Sequence, residues 1–360
     1  MKIKMKNFIY FPTVQKITEK RNLLHIVWNS GKESWFIKEL ILDESLIWLV
    51  GFWMGDRTSV NRSLGIGTTE FSVIKSAISI FKLLTVGERI KVKIRLPEKN
   101  PNIDTKGLIE TYSKKFNLPK ENVTIDCQLT QSYTPLFILD SGCNILSRAF
   151  RWIENNINNL LEKLPKNFTY IWLAGYFDAE GHVDKTANSL WFSTADKNRS
   201  AWLKIILQKI GFNAESSNKE RIAKNGKKAV EFPVRIGHRR EIRKNDFQLF
   251  YNYIFPFMKH KTKRKEVEEL IKGYRVRKID ITKYLLNAYR KFDNNWFNRF
   301  EFEKFFNLRP RSGTVILKNL SSAKLLYRKG HPNWKKGGQI PYIYKISKLG
   351  LKLLRNTKWK

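Results

Sequence analysis

The sequence predicts an α+β protein built from two similar halves and a small basic module after them. Three observations carry this: one run occurs twice, each copy is followed by the same order of strand and amphipathic helix, and the composition changes near residue 274. The repeated run is Leu49-Val-Gly-Phe-Trp-Met-Gly-Asp56 in its first copy and Leu173-Ala-Gly-Tyr-Phe-Asp-Ala-Glu180 in its second. Each copy is apolar and helix-like, and each ends on a carboxylate. The acids stand 124 residues apart, about the length of a small domain half, so the repeat is a duplication.

Residues 1–44 alternate apolar and polar side chains, as in Leu24-His-Ile-Val-Trp28, and predict short strands ahead of the first motif helix. After Asp56 an extended stretch reaches Gly67. A half-buried helix over residues 70–84 follows, with Phe71, Ile74, Ile78 and Phe81 beside Val73, Ala77, Ile80 and Leu84. The run Ile90-Lys-Val-Lys-Ile-Arg-Leu96 alternates as a strand, packing one face and presenting Lys91, Lys93 and Arg95 on the other. Because all three are positive, that face is expected to meet phosphate or bases. An insertion near residues 99–119 distinguishes the first half, and a helix containing Leu146 and Phe150 runs to about Leu164 as a linker before Pro165.

The second half repeats the order. Leu190-Trp-Phe-Ser-Thr-Ala-Asp196 parallels Leu64-Gly-Ile-Gly-Thr-Thr-Glu70, and Trp202, Ile205, Ile206 and Ile210 give the next helix its apolar stripe. Lys224-Asn-Gly-Lys227 is a hairpin turn signal, after which Val230, Phe232, Val234 and Ile236 face one way and Glu231 and Arg235 the other.

A carboxylate at a helix C-terminus faces the negative end of the helix dipole, a mildly unfavourable placement worth roughly 0.3 to 1 kcal/mol when exposed. Small residues four apart, Gly51 and Gly55, then Gly175 and Ala179, bare one stripe on each motif helix. Two such stripes can touch backbone to backbone and set Asp56 beside Glu180. Adjacent carboxylates repel unless they share a proton or a divalent cation, and a hard oxygen-seeking ion such as Mg²⁺, or Mn²⁺ in its place, suits them.

At these residues the chain resembles the LAGLIDADG family of homing endonucleases. Leu173-Ala-Gly-Tyr-Phe-Asp-Ala-Glu-Gly181 matches the motif closely, with Glu for its last Asp, whereas the first copy departs at Arg57, where the family usually has Gly. The resemblance covers residues 45 to about 272. It implies two pseudo-symmetric αββαββα halves with saddle-shaped antiparallel sheets, over residues 45–164 and 165–273, after an extension at 1–44. It carries the motif acids onto Asp56 and Glu180 as metal ligands and catalytic groups. It also nominates Lys261, in Pro256-Phe-Met-Lys-His-Lys261, as the catalytic lysine, with Arg148 as a first-half counterpart. Arg57, Asn61, His182, Asp184 and Asn188 follow the acids and are candidate base readers by position, and Arg235 and Lys263 join the same DNA-facing set.

Composition points the same way independently. With 68 Lys and Arg against 32 Asp and Glu, the net charge of +36 over 360 residues favours a polyanion through counterion release. No apolar run is long enough for a membrane span and the start lacks a signal-peptide core, so an intracellular site is expected, in cytoplasm, nucleoid or an organelle. Two cysteines and five unclustered histidines argue against a disulfide scaffold or a zinc site. The absence of a terminal His-Asn pair argues against an intein.

From residue 274 to 360 the pattern changes to three helix-like segments, Ile281–Phe292, then residues 299–308 and 313–326. Strands around a Gly/Lys/Pro-rich loop at 329–340 follow them. This order predicts a winged-helix-like DNA-binding module. Residues 301–360 hold 15 Lys or Arg against Glu301 and Glu303, in keeping with that role. The expected protein is a monomeric, metal-dependent double-strand DNA endonuclease with a long pseudo-palindromic or asymmetric site. The alternatives are an intron RNA maturase and a transcription regulator on the same scaffold.

Overall fold

The structure, a computed structural model, describes residues 1–57, 64–85, 90–98, 104–130, 132–142, 144–222, 228–239, 242–274, 281–308, 312–332 and 342–356. It divides into two compact units, Met1–Arg275 and Val276–Lys360.

The larger unit opens with five short strands. β1 (Lys2–Lys4) pairs with β5 (Glu39–Ile41), and β2 (Val14–Lys20), β3 (Leu23–Trp28) and β4 (Glu33–Ile37) form an antiparallel meander. Helix α1 (Glu44–Asp56) follows, its N-terminus fixed by Asp43, whose carboxylate accepts from the Leu46 amide at 2.8 Å. Every residue from Leu46 to Met54 is buried, as expected of a helix apolar on all sides. Next come β6 (Gly65–Thr68), α2 (Phe71–Thr85), β7 (Lys91–Arg95), α3 (Thr105–Phe116), β8 (Val123–Ile125), β9 (Leu136–Asp140) and the long α4 (Asn144–Lys163). The sheet order is β6-β9-β7-β8. One expectation is corrected here: β7 and β8 run parallel, so this sheet is mixed rather than antiparallel. The cause is the insertion, since α3 returns the chain to the same end of the sheet before β8 begins.

Pro165 starts the second motif helix, α5 (Lys166–Glu180), which leads into β10 (Gly181–Asp184), β11 (Ser189–Phe192), α6 (Lys197–Lys209) and β12 (Glu215–Ser216). Then come β13 (Lys219–Ile222), β14 (Lys228–Glu231), β15 (Val234–Ile236), α7 (Arg243–Leu249) and α8 (Lys261–Gly273). The antiparallel sheet is β10-β11-β15-β12, with β13 and β14 as a separate hairpin. The strand expected across residues 230–236 is therefore two strands. Pro233, which has no amide to donate, breaks the ladder between them. The turn at 224–227 lies outside the described residues.

The smaller unit holds α9 (Ile281–Phe292), β16 (Phe297–Asn298), α10 (Arg299–Phe305), α11 (Ser312–Ser322), β17 (Leu326–Gly330), β18 (Tyr342–Ile346) and α12 (Lys348–Asn356). Leu285, Phe297, Phe302, Leu317, Leu320 and Ile346 form its own core. Asn298 and Glu301 make a reciprocal capping box on α10. Both α10 and α11 stop earlier than the sequence pattern suggests, because Asn307 (φ 47°) and Lys324 (φ 58°) turn left-handed and end the helical hydrogen bonding.

Candidate active site

The motif helices meet as the small-residue stripes require. A Cβ on Gly51 would run into the Trp172 carbonyl and lie 3.0 Å from the Tyr176 amide nitrogen, and one on Gly175 would run into the Trp48 carbonyl and lie 3.0 Å from the Phe52 nitrogen. The contacts are reciprocal because Gly51 and Gly175, Trp48 and Trp172, and Phe52 and Tyr176 occupy equivalent places in the two copies. Only glycine permits this approach. One turn on, Gly55 abuts Ala179 and lies 3.0 Å, measured from an added Cβ, from the Glu180 Cγ. Asp56 and Glu180 thus end the pair together, both half-buried.

That placement sets the electrostatics. Burial first, and then the neighbouring Glu180 charge, push the Asp56 carboxyl up to about 7, while Lys263 pulls the other way. The Lys263 ammonium donates to the carbonyls of Phe177 (3.2 Å), Asp178 (2.8 Å) and Ala179 (2.7 Å), so it caps the negative end of α5 from the first turn of α8. Burial lowers its pKa to about 8, against the support of Asp178, Glu180 and Asp56. Asp178 is 1 % exposed and accepts from Trp48 Nε1 (3.0 Å) and the Lys259 amide (2.6 Å) on one oxygen, which pins α1, α5 and the approach to α8 together. Its pKa is raised to about 6, chiefly by burial. His260 is pushed down to about 4 by burial and then by Lys263, so its neutral Nδ1 accepts from the Lys263 amide at 3.3 Å.

A cavity of about 620 Å³ opens beside Asp56, lined also by Lys93, Arg95, Asp126, His260 and Lys263. A second, of about 410 Å³, opens beside Glu180 with Arg57, Tyr176, Arg199 and Glu231. Here Arg199 donates to the Met54 carbonyl at 2.7 Å, capping α1 as Lys263 caps α5, and Glu154 on α4 pairs with Arg199 (2.5 Å) and Arg57 (2.7 Å).

The residues nominated from sequence scatter over this framework. Arg57 has φ −72° and ψ 138°, nearly the backbone of Gly181 at φ −71° and ψ 146°, so arginine is accommodated without strain. Its guanidinium lies over Trp53 and is committed to Glu154. Lys91 and Lys93 are exposed on β7, whereas Arg95 is bonded to Asp126 at 2.8 Å. His182 and Arg235 flank Trp191 on neighbouring strands, with the Arg235 guanidinium 4.2 Å from the ring centre. Asp184 accepts from the Ala187 amide and Asn188 takes φ 50°, so both build the β10–β11 turn. Arg148 donates to the Phe8 carbonyl and lies over Tyr10, committed to the N-terminal extension. Asn61 lies outside the described residues. Lys261 is exposed at the start of α8, and the lysine whose charge acts on the carboxylates is Lys263 two residues on. Sequence reasoning missed Asp178 and Arg199. For Asp178 a signal existed, a second carboxylate in the motif copy where the first has Met54.

Residues 168–254 match the family model described as a LAGLIDADG-like domain. No curated protein matches the chain. Among solved structures, one of I-DmoI in complex with DNA and Mn is 13 % identical, covering 59 % of this chain and 98 % of its own, with a TM-score of 0.27. One from a study of mesophilic variants of the homing endonuclease I-DmoI is also 13 % identical, covering 59 % of this chain and 95 % of its own, at the same TM-score. The family match spans α5, β10–β15 and α6–α7, so this chain carries a LAGLIDADG-like domain whose motif helix is the one ending at Glu180.

Proposed function

We propose that the protein is a divalent-metal-dependent endonuclease acting on double-stranded DNA, with Asp56 and Glu180 as its metal-binding acids. The observation that carries this is the carboxylate pair at the foot of the interlocked helices, where Asp56 is held near 7 by burial and by Glu180. A site that disfavours its own charge at neutral pH suits a cation. Among the described residues no cluster of three or more metal-ligating side chains exists. Two carboxylates completed by water and phosphate oxygens suit Mg²⁺ or Mn²⁺ better than zinc. When bound, the cation would polarise the scissile phosphate and lower the pKa of the attacking water.

The protein's own groups act around that centre. Lys263 spends its three protons on carbonyls, so it acts through charge, keeping Asp56 ionisable and offsetting negative charge as it develops. Arg199, shared between the Met54 carbonyl and Glu154, places a second cation at the other cavity, and Lys91, Lys93, His182 and Arg235 supply phosphate and base contacts on the two sheets. Residues 45–164 and 165–273 serve as the two halves of one monomer, on a target that need not be symmetric. Among the described residues no helix is long and apolar enough to cross a membrane. The order α9, α10, α11, then the β17–β18 pair closed by β16, supports reading the smaller unit as winged-helix-like, with α11 as its groove reader.

The test is cleavage of the uninterrupted allele of any interrupted host gene around this coding sequence. Asp56→Asn and Glu180→Gln are expected to abolish cutting and leave specific DNA binding intact. Loss of folding and binding together would make the acids structural.

A further inference from the structure

In the smaller unit β17 is an edge strand, at the end of the order β16-β18-β17. Between it and the C-terminal end of α11 lies a groove of about 580 Å³, lined by Lys318, Ser321, Ser322, Lys324, Tyr327 and Arg328, with no acidic group on its walls. Lys324 occupies the left-handed position that ends α11, with φ 58°, where glycine or asparagine is the usual choice.

The groove also carries a ring, Tyr327, which is 49 % exposed. Outside the groove, two residues along the same strand face, Lys329 places its ammonium 4.2 Å from the centre of the Trp296 ring. Phosphates of a duplex need only cations, because duplex bases are already stacked on one another. An exposed ring set among cations is what an unpaired base stacks on.

We propose that this groove binds an unpaired stretch of nucleic acid, with Tyr327 as the stacking ring and Lys318 and Lys324 holding the flanking phosphates. The proposal stands on the smaller unit alone and does not rest on the nuclease reading. Its test uses the full chain and fluorescent oligothymidine and oligouridine, with a fluorescent duplex titrated separately in parallel. Tyr327→Ala should weaken oligonucleotide binding about tenfold, Tyr327→Phe should keep it, and duplex affinity should not move. The tighter of the two oligonucleotides identifies DNA or RNA as the ligand. Lys324→Gly should weaken binding severalfold while raising the melting temperature, since glycine takes the left-handed conformation freely. Because Tyr327 is exposed, folding is not at issue. Unchanged binding in Tyr327→Ala or Lys324→Gly, or equal losses on single strand and duplex, would overturn the proposal, the last outcome making the groove a duplex phosphate surface.

Discussion

Replacing Gly51 or Gly175 by alanine should force the motif helices apart, because each new methyl would meet backbone rather than a movable side chain. In Gly175→Ala the obstacles are the Trp48 carbonyl, with its carbon at 2.9 Å, and the Phe52 nitrogen at 3.0 Å. Relief needs a separation on the order of 1 Å, which forfeits roughly a quarter to a half of each dispersion contact across the seam. Trp48, Phe52, Trp172 and Tyr176 are the large side chains flanking it. Taking about a third of the roughly 50 contacts of each as crossing the seam, at ~0.1 kcal/mol apiece, the loss is about 3 kcal/mol. The gain in helix propensity returns about 1 kcal/mol, leaving a net loss of about 2 kcal/mol per variant. One displacement relieves both clashes while each alanine returns its own helix propensity, so the double variant should cost about 1 kcal/mol, less than either single change, a coupling of about 3 kcal/mol. Urea denaturation followed by tryptophan fluorescence measures all three, with Gly273→Ala as control, since nothing lies within 4 Å of its added methyl. Additive losses, or single variants as stable as the parent, would refute the backbone-to-backbone seam.

Two further outcomes follow from the charges. Asp56 rises from 3.8 to about 7 on folding, so the folded state holds the extra proton between those values and metal-free stability falls as pH rises through that window. Bound cation expels the proton, so the rise in melting temperature on adding magnesium should be small near about pH 5 and grow towards about pH 8, and Asp56→Asn should remove that dependence. A magnesium effect independent of pH would refute the assignment of Asp56 to the metal. Lys263→Met should abolish cleavage and cost about 3 kcal/mol by leaving carboxylates and helix carbonyls uncompensated, whereas Lys261→Met should stay within about 0.5 kcal/mol of the parent and still cut. Equal effects in a parallel cleavage and denaturation assay would contradict the geometry.

What could be read from the sequence was whatever repeats over a short range. The apolar stripes placed the second helix at residues 70–84 against the observed Phe71–Thr85, and the alternation placed a strand at 90–96 against Lys91–Arg95. The glycine spacing placed the acids side by side, since helix geometry alone fixes which face is bare. Lys263 was not legible as the central cation. Lys261 and Lys263 differ only in which side of the first turn of α8 they leave, and that is decided by His260 capping the helix and by the tie from Asp178 to Lys259. The parallel pairing of β8 depends on where α3 delivers the chain, which no local pattern encodes. Pro233, by contrast, was a visible break signal inside an otherwise regular alternation.

The two helix ends are capped by different residues: a lysine plugs three carbonyls of α5, and an arginine reaches one carbonyl of α1. In an assembly of two identical subunits every substitution appears twice, so such a difference is out of reach, and each residue must work in both places. Joining the halves through α4 releases that constraint. Asp178 accepts from Trp48, while the Trp172 indole, facing across to the half that has Met54 in that position, finds no such acceptor. One half can therefore be altered without touching the other, and a heritable change on one side of the molecule need not be mirrored to be tolerated.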